Sequence, residues 1–186
     1  MVQIGKLQYC FLAYLSHPAA DRPIYRAIRK HGPRSIVEFG VGNARRTERM
    51  IVLASGRHDA PIAYTGIDLF EARPEEEPRI SLKQAHMLLR RLNARVQLSP
   101  GDPFSALARI AHTVVDADLV VVSADQDSVA MARAWGYVPR MIHDRTLVFW
   151  EKPGSAGRGR RFVKLDRRAI EELAGSAAAR PLRRAA

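Results

Sequence analysis

The sequence is short of several things, and each shortage excludes something. Cysteine occurs once, as Cys10. A single thiol excludes an internal disulfide framework and any multi-cysteine zinc site, and it fits a reducing compartment. No apolar run approaches the roughly 18 residues that a membrane-spanning helix needs. The opening stretch MVQIGKLQYCFLAYLSHPAA has a short apolar patch, but Gln8, Tyr9 and Tyr14 interrupt it. It reads as a packed helix rather than a signal peptide, so the expectation is a cytoplasmic protein with no membrane partner. Acidic residues are in deficit, 19 against 30 basic ones. Lysine is scarce too, at 5 against 25 arginines. The six histidines are scattered without ligand spacing. No aromatics are interleaved with the basic residues in the manner that stacks on nucleobases.

The basic charge is unevenly spread. From Lys152 onward there are ten Lys/Arg and three Asp/Glu, a net +7 of the chain's total +11. This C-terminal segment could touch nucleic acid or an acidic partner, but a solvated end is the simpler expectation. Residues 176–186 are expected to be a frayed, basic tail.

The 186 residues suffice for one domain with a sizeable core. Two kinds of apolar segment alternate. Ser35–Phe39, Ile62–Asp68, Arg95–Leu98, Asp118–Ser123 and Thr146–Trp150 are short and rich in β-branched or aromatic residues, and read as strands. Helical patterns over 21–31, 44–55, 81–93, 103–112 and 126–135 precede, separate or follow them. Pro23 and Gly32-Pro33 bracket the first of these. Asp102 and Asp125 are possible N-caps of the last two. The alternation predicts an α/β fold: a doubly wound, mainly parallel sheet of about six to seven strands with helices on both faces. Arg161–Leu165 would add an antiparallel edge strand, and Arg167–Gly175 a last helix. One domain over 1–175 is expected, with N-terminal helices over 1–34, a core over 35–152, and the edge strand and last helix over 153–175.

In such a sheet, ligands bind beyond the C-terminal ends of the strands. The first strand runs into Glu38-Phe39-Gly40-Val41-Gly42-Asn43-Ala44. Gly40 and Gly42 permit a tight turn and a close approach of ligand to main chain. A dinucleotide fingerprint would need Gly or Ala at position 45, where Arg45 stands, and Asp68 is too far beyond the glycines for its acid. A phosphate-binding G-x-x-x-x-G-K-[ST] string is absent. The second strand ends in Asp68, the third is followed by Gly101-Asp102, and the fourth runs into Ser123-Ala124-Asp125.

In order and spacing these pieces resemble the class I S-adenosylmethionine-dependent methyltransferase superfamily. The resemblance spans roughly residues 22–152. It implies that Gly40, Val41, Gly42, Asn43 and Ala44 line the methionine part of S-adenosylmethionine, with Glu38 near its amino group. Asp68 would accept both ribose hydroxyls. Gly101 and Asp102 would reach the adenine amino group, Leu69 or Phe70 would pack on the ring, and Ser123 would border the site. A carboxylate suits both tasks, since it only accepts hydrogen bonds. Ala44 departs from the family's usual third glycine, and its methyl group is expected to narrow the pocket slightly. Arg45 and Arg46 either pair with the cofactor's carboxylate or point outward into solvent.

Methyl transfer needs mainly alignment of the acceptor, and a base only if the acceptor must lose a proton. Asp125 is the candidate base, with an N-cap as its other reading. The asparagine- or aspartate-proline-proline-aromatic string of amino-methylating relatives is absent. Asp125 and Glu151 are the only acids placed to recruit Mg²⁺, so no metal is expected. The expected function is methyl transfer to an unidentified acceptor, in a chain that could form oligomers. The alternatives are a non-catalytic protein of this fold used for binding or as a scaffold, and a basic nucleic-acid-associated protein.

Overall fold

The computed structural model describes residues 5–153 and 159–178. Six strands form one sheet in the order β3-β2-β1-β4-β5-β6. They are β1 (Ser35–Phe39), β2 (Ile62–Asp68), β3 (Ala94–Pro100), β4 (Ala117–Val122), β5 (Ile142–Pro153) and β6 (Arg160–Leu165). The first five are parallel, and β6 pairs antiparallel with β5. The chain winds outward from β1 to β3, then returns to place β4 on the other side of β1. The junction of β1 and β4 is therefore the switch point, where the two halves of the sheet diverge.

The strands bury both faces, which accounts for their near-continuous apolar character. On one face, Ile36, Tyr64, Leu119 and Phe149 pack with Ile24 and Ile28 of α2 (Arg22–His31) and with Met50 and Ile51 of α3 (Arg45–Ser55). On the other, Val37, Val120 and Val148 meet α5 (Pro103–Ile110), α6 (Ser128–Ala134) and α8 (Arg167–Ala178) through Leu107, Met131 and Ile170. Consecutive strand residues thus serve opposite layers, as the two-residue period requires. Helix α4 (Leu82–Leu89) opens with a capping box between Ser81 and Gln84.

The structure differs from the sequence reading at several ends. The last helix continues through Ala178, so residues 176–178 belong to it rather than to a tail, and 179–186 lie outside the described residues. Most of the expected loop at 154–160 lies outside them as well. At the N-terminus the expected packed helix is short: α1 (Lys6–Cys10) followed by a π-helical turn at Phe11–Leu15. Leu7, Phe11, Tyr14 and Leu15 are exposed, and Leu12 and Ala13 carry the packing. A short helix, α7 (Val138–Met141), lies where no helix was expected. No described helix is long and apolar enough to cross a membrane.

Candidate functional site

The turn after β1 has the geometry that its glycines suggest. Gly40 has φ +95° and Gly42 has φ +59°. A Cβ on Gly40 would come within 2.6 Å of the Ser123 Cβ, so the end of β1 and the end of β4 touch there without a side chain between them. Gly40 donates to the Ile67 carbonyl, and Ser123 donates its backbone N–H to Phe39, tying the turn to β2 and β4. Ala44 has φ +61°, and so takes the left-handed conformation that a glycine would supply at less cost. Its methyl group is fully buried among Val41, Phe70 and Ala85. The methyl therefore packs inward against these side chains. Asn43 is exposed and accepts from the N–H of Arg45.

Glu38 is completely buried and accepts from its own chain. Arg46 Nε donates at 2.8 Å, Thr47 Oγ1 at 2.5 Å and Tyr64 Oη at 2.7 Å. The Tyr64 ring reaches Glu38 across Gly66, where a Cβ would lie 2.8 Å from the Tyr64 oxygen. Burial and the neighbouring Glu38 charge push the Tyr64 hydroxyl well above its ordinary pKa, so it stays a donor. Arg46 also donates to the Gly40 carbonyl at 2.8 Å, touches Ser123 Oγ and lies 3.8 Å from Asp21. Burial works against its charge, but Glu38 and Asp21 outweigh that and raise its pKa. Neither reading of Arg46 describes this: it is an internal brace under the turn. Arg45 does point outward.

Asp68 ends β2 with 1% of its surface exposed. Its Oδ1 accepts from the Phe70 N–H at 2.9 Å and from Arg73 Nε at 2.5 Å. Its Oδ2 accepts from the Gly42 N–H at 2.8 Å and from a terminal nitrogen of Arg73 at 2.8 Å. Of the two residues expected to reach an adenine ring, Phe70 is 1% exposed and packs inward, whereas Leu69 is 40% exposed. Phe70 is held at φ +52°, a costly conformation for a bulky residue, directly beside Asp68. Strain at Ala44 and Phe70 thus concentrates at this corner of the molecule.

Asp102 caps α5, accepting from the N–H groups of Phe104 and Ser105, both at 3.0 Å. Burial acts to raise its pKa, but these hydrogen bonds prevail and lower it. Gly101 precedes it at φ +127° and donates to the Asp68 carbonyl, which links the ends of β2 and β3. Asp125 is not an N-cap. Helix α6 starts two residues later than expected and Asp127 caps it, accepting from Ala130. Asp125 instead accepts from Arg73 at 2.7 Å and from Gln126 at 2.9 Å. Burial disfavours its charge, but the Arg73 hydrogen bond more than compensates and lowers its pKa. Glu151 accepts from the Ala124 N–H at 3.0 Å, so the two acids considered for Mg²⁺ are held by separate partners.

Beside Ser123 lies a cavity of about 700 Å³ between the ends of β4 and β5 and helices α6 and α8. Met131, Trp135 and Trp150 form much of its wall, and Gln126 and Glu151 supply polar groups. Ser123 and Gln126 are also the side chains packed against Gly40, so cavity and turn share a wall.

The sequence reading gave no role to Arg73, which heads the otherwise acidic stretch Arg73-Pro74-Glu75-Glu76-Glu77-Pro78. It is the one buried residue between Glu71 and Arg79. It pairs with Glu77 at 2.9 Å, but the stretch is not helical, so that spacing was no signal in the sequence. The fit to an S-adenosyl cofactor is good in backbone and in the placement of acids. Glycines turn at the end of β1, a carboxylate ends β2, and another follows β3. One side chain, that of Arg73, takes up an acceptor position on each Asp68 oxygen.

Many solved structures share this fold, S-adenosylmethionine-dependent methyltransferases among them. An O-methyltransferase from Bacillus cereus, solved with S-adenosylhomocysteine, is similar at TM-score 0.56 and 16% identity, over 91% of this chain and 73% of that one. The O-methyltransferase TomG from Streptomyces achromogenes, involved in tomaymycin synthesis and solved with S-adenosylmethionine, is similar at TM-score 0.54 and 12% identity, over 91% and 71%. The Podospora anserina methyltransferase PaMTH1, solved with S-adenosylhomocysteine, is similar at TM-score 0.51 and 13% identity, over 89% and 67%. No protein-family profile matches the sequence, and no curated protein matches it either.

Proposed function

We propose that this protein is an S-adenosylmethionine-dependent methyltransferase. The observation that carries the reading is the join of three strand ends at one place. The Gly40–Ala44 turn, Asp68 and Asp102 lie along the C-terminal edge of β1, β2 and β3, on the fold shared with the O-methyltransferases above. Gly42 opposes only the Pro78 carbonyl, at 3.6 Å from where a Cβ would be, so the main chain of the turn is free of side-chain cover there. When bound, the cofactor supplies an electrophilic methyl group on a sulfonium. Asp68 would hold the ribose, Asp102 the adenine amino group and Leu69 one side of the ring.

The acceptor would lie in the cavity beside Ser123, whose tryptophan and methionine walls favour a small, largely apolar molecule. Asp125 is committed to Arg73, while Glu151 lines the cavity, so Glu151 is the better placed of the two to take a proton from an acceptor. Alignment by the cavity walls would supply most of the rate.

Calorimetric titration with S-adenosylmethionine and S-adenosylhomocysteine tests the reading. Saturable binding of one ligand per chain is expected. Absence of binding at millimolar ligand, in the native chain and in an Arg73→Ala chain alike, overturns it.

A further inference from the structure

We propose that Arg73 is an internal occupant of the ribose position, which a ribose must displace before Asp68 can hold it. The proposal rests on the cofactor reading above. Asp68 accepts four hydrogen bonds, two on each oxygen, which is about the full capacity of a carboxylate. Two of the donors, Gly42 and Phe70, are backbone groups fixed by the turn and by the end of β2. The other two belong to the Arg73 guanidinium, which meets the carboxylate side-on with parallel donors. A vicinal diol offers the same arrangement, two adjacent donors for the two oxygens. Ribose hydroxyls and the Arg73 fork therefore compete for one pair of lone-pair sites.

The surroundings make the exchange feasible. Arg73 anchors a stretch in which Pro74, Glu75, Glu76, Pro78 and Arg79 are all exposed, so little packed structure moves with it. Its remaining terminal nitrogen already donates to Glu77 at 2.9 Å and to Asp125 at 2.7 Å. On leaving Asp68, the guanidinium keeps two carboxylate partners and is not left as an unpaired charge. Asp68, in turn, exchanges two donors for two donors. Arg73 thus keeps counter-charges, and Asp68 keeps a full set of donors while exchanging a cationic pair for a neutral one, which limits the usual large cost of breaking such a pair. Arg73 also joins the β2 end to the segment after β4 through Asp125, a link it keeps through the exchange.

The test is the affinity for S-adenosylhomocysteine, measured by calorimetry on the native chain and on Arg73→Ala and Arg73→Lys chains. Thermal melts report whether each variant is folded. Arg73→Ala should bind at least tenfold more tightly than the native chain, although it has lost a buried pair and melts lower. Arg73→Lys, which keeps a charge but loses the fork, should fall between them, and it carries the test if the alanine chain does not fold. A merely structural arginine would not tighten binding when removed. Equal or weaker binding by the variants overturns this proposal and leaves the cofactor reading standing. Failure of all three chains to bind overturns both.

Discussion

Ala44 shows how a residue that looks like a blemish in a motif is read correctly only from its backbone. The sequence shows an alanine where a glycine is usual, and the simplest inference is a methyl group in the pocket. The methyl instead enters a small cluster with Val41, Phe70 and Ala85, and the cost appears in the left-handed backbone. Left-handed alanine costs about 1 kcal/mol or somewhat more, and a buried methyl returns about 0.8 kcal/mol. Ala44→Gly should therefore be close to neutral in chemical denaturation. Ala44→Val, β-branched at positive φ and fully buried, should lose at least about 2 kcal/mol. Gly40→Ala should be worse than either, because its new Cβ meets Ser123 at 2.6 Å.

Asp21 gives a pH dependence at the same scale. Burial is the main cause that raises its pKa to about 6 from 3.8, only partly offset by Arg46 and Tyr25. A carboxyl with a raised folded-state pKa binds its proton more tightly when folded. Its contribution to stability is therefore highest below pH 4, falls between about pH 4 and 6, and stays low above that. Asp21→Asn should relieve this, raising stability at pH 8 by roughly 3 kcal/mol relative to its effect at pH 4. Urea denaturation at the two pH values checks the sign. A variant whose effect does not change with pH would show that folding leaves the Asp21 pKa unshifted.

At the scale of elements, legibility followed the strength of local signals. The spans Ser35–Phe39 and Ile62–Asp68 are the observed β1 and β2. Both are apolar, β-branched and closed by residues that break the pattern. The fifth strand was read as Thr146–Trp150 but runs Ile142–Pro153. Its ends carry His143, Asp144 and Lys152, whose polarity hides a ladder set by pairing with β4 and β6 rather than by burial. Helix α6 was placed too early because Asp125 and Asp127 are equally good caps in isolation. Arg73 decides between them by claiming Asp125. Helix α5 was placed well because Asp102-Pro103 is a strong start signal. Asp102 has two candidate roles, cap and adenine acceptor, and one substitution separates them. Asp102→Ser keeps a capping oxygen, so its melting temperature should stay near the native value, whereas Asp102→Ala should lose about 1 kcal/mol. The serine chain should still bind S-adenosylhomocysteine about three- to tenfold more weakly, since a charged acceptor is lost. Unchanged affinity would leave Asp102 as a cap only.

For the whole molecule, the alternation of segments was enough to give the doubly wound sheet and its antiparallel edge. It was also enough to bring residues 38–44, 68 and 101–102 to one edge of the sheet, because parallel strands deliver all their C-terminal ends to the same side. The internal partners were not legible. Tyr64 with Glu38, and Arg73 with Asp125, join side chains across different βα units, and local sequence pattern does not encode those pairings. The basic character of the C-terminal segment is partly accounted for within the described residues. Arg167 and Arg168 pair with Glu171 and Glu172 along α8, and Arg167 also reaches Asp144. Such exposed pairs contribute little stability, but they reduce the free positive charge on that helix.

The proposed site for an S-adenosyl cofactor is built from strand ends on this fold, with Asp68 as its ribose ligand. Calorimetric titration of S-adenosylhomocysteine into the native and Arg73→Ala chains, each with and without Asp68→Asn, addresses it most directly. Saturable one-to-one binding is expected, tighter in Arg73→Ala, and weakened about tenfold or more by Asp68→Asn in either background. Absence of binding in native and Arg73→Ala chains at millimolar ligand, or affinity indifferent to Asp68→Asn, would contradict it.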